Sequence, residues 1–88
     1  MFHIYILLCS DNTLYTGFTT DIQHRLNDHE NGKGSKYVRS RLPAKLIYSE
    51  KFRSKSKAMK REAQIKGWSR ELKIQNLKLK VGGSRGLK

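Results

Sequence analysis

Hydrophobic and polar positions alternate through residues 2–8, FHIYILL. Phe2, Ile4, Ile6 and Leu8 face one way, and His3, Tyr5 and Leu7 the other, a period of two that predicts a strand. Leu14 to Phe18 repeats it, with Tyr15 and Gly17 opposite Leu14, Thr16 and Phe18. Cys9-Ser10-Asp11-Asn12 carries the turn chemistry between them. An odd loop would pair Tyr5 with Tyr15 across the strands and put both phenols on one face. An even loop would separate them unless a bulge shifts the register.

The period then becomes helical. Thr20 or Asp21 can cap a helix over residues 22–31, and Gly32 can end it. At 100° per residue, Ile22, Arg25, Leu26 and His29 share one stripe, so Arg25 and His29 sit a turn apart beside the packing face. Residues 32–43, GKGSKYVRSRLP, read as a loop. Ala44 to Phe52 reads as a third strand, with Leu46, Tyr48 and Phe52 on one side and Ile47 on the other. Ser54 or Ser56 caps a helix over 57–66, and Gly67-Trp68 breaks it. Ser69 caps a last helix over 70–78, with Leu72, Ile74 and Leu77 on its apolar side and Trp68 as a plug between helices. Residues 81–88, VGGSRGLK, are expected to be disordered. The order is β-β-α-β-α-α, with no internal repeat and no second domain.

Composition narrows what such a chain can do. Eighty-eight residues at 36% hydrophobic content support one domain with a small core, expected as a single sheet covered by a few helices. No run approaches the roughly 20 apolar residues of a membrane span. No basic leader precedes the first strand, so no export signal is expected, and the one cysteine suits a reducing, cytoplasmic setting. Cys9 closes an apolar strand and reads as a small filler rather than a nucleophile. A structural zinc site is not expected from one cysteine and unclustered histidines.

Charge adds a partner. The formal net charge is +12, but residues 1–30 hold one arginine and four acids, whereas residues 31–88 hold 18 lysines and arginines against three acids. That asymmetry points to a polyanion, nucleic acid before anionic membrane, because no basic segment has a broad apolar opposite face. The 32–43 loop sets Lys33, Lys36, Arg39 and Arg41 around Tyr37 between glycines, which suits phosphate contact and base stacking.

Glu62 is the most informative single residue. Ala58, Glu62 and Ile65 are spaced i, i+4, i+7, so a carboxylate falls on the apolar stripe. Such a group must be paired or bound to a metal. Lys60, Arg61 and Lys66 are candidate partners; a functional carboxylate is the preferred reading.

Taken together, HIY at 3–5, YTG at 15–17, Arg25, His29, KYV at 36–38 and Glu62 resemble the GIY-YIG endonuclease family over about residues 2–75, most of all its small stand-alone bacterial members. The resemblance implies an α+β fold with a three-stranded antiparallel sheet flanked by helices. It implies hydrolysis of DNA phosphodiester bonds with one divalent ion, Mg²⁺ or Mn²⁺. By motif, Tyr5, Tyr15, Arg25 and His29 carry over as catalytic residues and Glu62 as the metal carboxylate. His3 stands where the first motif glycine is usual, Thr16 at the middle isoleucine and Thr19 where some members carry a lysine. Asn76 is a candidate counterpart of the asparagine that some members carry on the last helix. Residues 1–78 are then the nuclease-like domain and 79–88 a basic tail.

One reading is therefore a metal-dependent endonuclease, expected as a monomer acting on DNA, branched or single-stranded DNA included, with RNA a further candidate. A second is a nucleic-acid-binding module of the same fold with little turnover. A third, weaker one is a basic protein docking on another protein through Trp68 and the last helix.

Overall fold

The computed structural model describes residues 1–81. Strand β1 (Phe2–Leu8) pairs antiparallel with β2 (Leu14–Thr19) on one side and β3 (Lys45–Phe52) on the other, giving the sheet order β2-β1-β3. This is the expected three-stranded antiparallel sheet. β1 is the middle strand because both its side-chain rows are apolar. Ile4, Tyr5, Ile6 and Leu7 are all buried, so each face needs a cover.

Two clusters supply those covers. Ile4 and Ile6 pack with Ile65 and Leu79, flanked by Phe18, Trp68, Ile74 and Leu77. On the opposite face Tyr5 and Leu7 pack with Val38, flanked by Tyr15, Ile22, Leu26 and Leu42. Helix α1 (Ile22–Glu30) and the one-turn α2 (Lys36–Arg39) serve the second cluster, while α3 (Lys55–Lys66) and α4 (Arg70–Leu77) serve the first. Asp21, Ser35, Ser54 and Ser69 each cap the following helix through a side-chain oxygen that accepts a backbone N–H. The expected element order holds, with two extensions: α2 lies inside the segment read as a loop, and α3 starts at Lys55.

Three expectations need correction. Tyr5 and Tyr15 share a face, as an odd loop requires, but they do not pair. Tyr5 is opposite Gly17 and Tyr15 opposite Leu7, so the phenols are diagonal neighbours. In β3 the register shifts between Ile6↔Tyr48 and Leu7↔Leu46. Ile47 is the extra residue of that bulge and joins Tyr48 and Phe52 in the first cluster. Leu46 lies across from Leu7 on the other face. Packing also continues past residue 78, because Leu79 is part of the core and Val81 is buried; the rest of the expected tail lies outside the described residues.

A partly buried ion pair fastens α3 to β3. The Arg61 guanidinium donates through Nε to Glu50 Oε1 at 3.1 Å and through Nη2 to Oε2 at 3.0 Å. Tyr48 donates its hydroxyl to the same carboxylate, and Arg61 also lies 5.5 Å from the Trp68 ring centroid. Burial pushes the Glu50 carboxyl up, but the bonds from Arg61 and Tyr48 outweigh it and hold the group below its usual range. Arg61, a sequence candidate for pairing with Glu62, is thus committed elsewhere.

Candidate active site

A cavity of about 360 Å³ is lined by Tyr5, Tyr15, Gly17, Phe18, Arg25, His29, Gly34, Ser35, Met59 and Glu62. It lies at edge strand β2. Tyr5 and Tyr15 reach it from the sheet, Arg25 and His29 from α1, and Met59 and Glu62 from α3. All five residues singled out by sequence as catalytic or metal-binding thus line one cavity.

Tyr5 is fixed by what surrounds it. Its ring lies over Gly17, where a Cβ would collide with the phenol. Its hydroxyl is 2.9 Å from His29 Nε2, and both side chains are buried. The Tyr15 ring stands 6.3 Å from that of Tyr5 and 5.6 Å from that of His29. Burial drives the Tyr5 phenol far above its ordinary value of 10.0; Tyr15 adds to the shift, Arg25 opposes it, and Glu62 adds again. The phenol is therefore protonated at neutral pH.

His29 sits at the end of α1 with its ring against Gly34, which has no side chain to obstruct it. Burial depresses its pKa from the usual 6.5, Arg25 lowers it further and Asp28 partly offsets them. The imidazole is neutral at pH 7, and its Nδ1 is buried without a hydrogen-bond partner.

Arg25 is half-buried and makes no side-chain hydrogen bond or ion pair among the described residues. An unpaired guanidinium facing a cavity is a ready receptor for an oxyanion. Glu62 shows 13% of its side chain to solvent, and its Oε2 is 3.2 Å from Lys66 Nζ, one turn on. Among the sequence candidates, Lys66 is the one that pairs with it. No group of three or more His, Cys, Asp or Glu converges anywhere among the described residues. Glu62 is the one carboxylate lining the cavity. A lone carboxylate suits a hard ion that keeps most of its waters.

The expected nucleic-acid residues divide. Lys33, Lys36 and Arg39 are exposed and unpaired among the described residues. Tyr37 stacks on Tyr15, and Arg41 lies over Tyr37 while bonding Asp11. None of the five lines the cavity. Thr19 is buried and bonds the Asp21 backbone at the α1 start, and Asn76 is exposed on α4 away from the cavity lining. Cys9 is buried, and burial pushes its thiol up, as befits a filler. Sequence reasoning passed over Gly17, Phe18, Gly34, Ser35 and Met59. The legible signal was glycine, at two points where a neighbouring ring approaches the backbone.

Phenols, a guanidinium, an imidazole and a carboxylate gathered at the edge of a small α+β sheet define a domain of the nuclease class. The description "GIY-YIG catalytic domain" matches residues 1–77, and the chain belongs to the GIY-YIG family, a nuclease family. It is 55% identical over 76 residues to a UPF0213 protein of Streptococcus agalactiae, 86% of each chain. It is 50% identical over 72 residues to one of Staphylococcus haemolyticus, covering 82% of this chain and 88% of that one. Among solved structures it resembles the UPF0213 protein of Bacillus halodurans, with TM-score 0.60 and 44% identity over 94% of this chain and 89% of that one. A protein from E. faecalis gives TM-score 0.62 and 42% identity, over 86% and 81%.

Proposed function

We propose that this protein is a divalent-metal-dependent endonuclease that hydrolyses DNA phosphodiester bonds. The observation that carries the reading is the convergence of Tyr5, Tyr15, Arg25, His29 and Glu62 on one cavity in which Arg25 has no carboxylate partner among the described residues. Nucleic acid is the natural occupant for a chain of net charge +12.

Each residue then has a role set by its surroundings. Arg25 presents its fork to the non-bridging phosphate oxygens. Tyr5 cannot serve as a base while burial holds its proton. Its hydroxyl shares one hydrogen bond with His29 Nε2, which fixes the phenol in the cavity wall. The Tyr15 hydroxyl has no hydrogen-bond partner among the described residues, so Tyr15 is the phenol left to orient or deprotonate the water. Glu62 would hold the Mg²⁺ or Mn²⁺, which when bound supplies positive charge at the phosphate and the departing oxygen. Lys33, Lys36 and Arg39 would take backbone phosphates on either side.

The test is nicking of supercoiled plasmid with Mg²⁺ or Mn²⁺. Glu62→Gln is expected to slow it by about 10²-fold or more; equal rates would refute the assignment. One observation favours a second reading, a nucleic-acid-binding module with little turnover: the Lys66 ammonium already sits on Glu62. That reading predicts steeply salt-dependent DNA binding and no cleavage with either ion.

A further inference from the structure

Tyr15 is half-buried, unlike the buried Tyr5 and His29, and it lies on an edge strand. Something must hold its ring. Tyr5 and His29 meet it at steep angles, 46° and 70° between ring planes, but Tyr37 stacks on it at 28° with centroids 5.9 Å apart. Tyr37 is gripped in turn. The Arg41 guanidinium carbon lies 3.8 Å from its ring centroid, and Arg41 Nη1 donates to the Tyr37 carbonyl at 3.0 Å. Arg41 Nε donates to Asp11 Oδ2 at 2.9 Å.

Asp11 itself is set by the β1–β2 turn. Its other oxygen accepts from the Thr13 hydroxyl at 2.6 Å and the Thr13 N–H at 3.2 Å. A backbone bond from Ser10 N–H to the Arg41 carbonyl, 2.9 Å, ties the same two segments. A ladder thus runs from the turn through Asp11, Arg41 and Tyr37 to Tyr15. None of its first three members lines the cavity. Tyr37 and Arg41 read from sequence as a base platform and a phosphate contact, yet a ring contact and the guanidinium's bonds are spent inside the protein.

We propose that Tyr37 and Arg41 are positioning residues that set the ring of Tyr15 through this stack, rather than contacts to nucleic acid. A planar guanidinium is required, because it must cover a ring and bond a carboxylate and a carbonyl together. An ammonium has three donors and can bond both oxygens, but it has no plane to lay over the ring at the same time. The importance of the stack for rate rests on the nuclease reading above; its existence and its indifference to DNA affinity do not.

Arg41→Lys separates the alternatives, because it keeps the charge a phosphate would feel and loses the plane. It is a partly exposed position, with 33% of the Arg41 side chain reaching solvent. Three quantities decide: the Tyr15 ring resonances in tyrosine-labelled protein, the affinity and salt slope for a short DNA duplex without metal, and kcat and KM for nicking with Mn²⁺. Positioning predicts displaced Tyr15 resonances, unchanged affinity and salt slope, and kcat down about tenfold or more with KM steady. Tyr37→Leu should do the same, and Tyr37→Phe should recover the resonances that Tyr37→Leu loses. The proposal is overturned if Arg41→Lys leaves the Tyr15 resonances in place, or if Tyr37→Leu weakens DNA binding while leaving them in place. If the wild type cuts nothing, the nuclease reading fails alone, and the resonance and binding measurements still decide the stack.

Discussion

Tyr5 and His29 meet across 24 residues of sequence, phenol oxygen to Nε2 at 2.9 Å, with both side chains buried. The contact joins the central strand to the last turn of α1 and fixes the helix that carries Arg25. Burial and the Arg25 charge both oppose a proton on the imidazole there.

That gives a pH dependence with a definite sign. The folded-state pKa of His29 lies below the unfolded value of about 6.5, so the unfolded chain binds more protons in the window between them. The contribution is fully present above about pH 6.5 and is lost as pH falls through the folded value. Melting temperature should therefore decline from pH 7 towards about pH 5 in the wild type and decline less in His29→Gln. Parallel curves would show that His29 does not carry the slope.

Adding one carbon at Gly17 should disturb the site from beneath. The new Cβ would meet the Tyr5 ring, with a ring buried beneath helices and little room to retreat. Gly17→Ala should cost about 1–3 kcal/mol in urea unfolding and lower nicking activity. An unchanged midpoint would mean that the strand can shift to admit the methyl.

Removing the charge of Glu50 should loosen α3. Glu50→Gln leaves the Arg61 guanidinium without its carboxylate in a site less than one-third exposed, an expected loss of about 1–3 kcal/mol. Arg61→Met alone strands the Glu50 carboxylate in turn, so the double variant, which removes both charges, should cost less than either single one if packing against Trp68 is retained. Chemical unfolding of the two variants and the double mutant measures the coupling.

On the proposed role of Glu62 as the ion's ligand, Lys66→Gln should strengthen metal binding. Its ammonium competes for Glu62 from an exposed position, 3.2 Å away, so the gain is small, roughly twofold in Mn²⁺ affinity. Titration followed by Mn²⁺ electron paramagnetic resonance reads it directly. Weaker binding would instead make Lys66 a supporter of the carboxylate's geometry.

Much of this molecule was legible before any coordinates. Period-two runs gave all three strands to within a residue, because the strands are short and bounded by turn residues. Asp21, Ser54 and Ser69, each among the residues read as caps, mark three helix starts, whereas Ser35, which starts the fourth, lies in the segment read as a loop. Glu62 stood out because a carboxylate on an apolar stripe breaks the helical pattern. What was hidden was long-range. The Ile47 bulge reverses Leu46, and nothing local marks it. Leu79 looked like tail because two apolar residues after a helix carry no period. Tyr37 and Arg41 read as a nucleic-acid surface, and their contacts to Tyr15 and Asp11 are not legible because those residues lie in a distant hairpin. Charge counting sees a cation but not whether a neighbour has already claimed it.

The strand Phe2–Leu8 separates two hydrophobic clusters and contributes two of the buried residues at the heart of each. Neither half of the molecule can keep its own interior once that strand is gone. A copy shortened at its start by eight residues would thus lose both interiors at once and fail to fold.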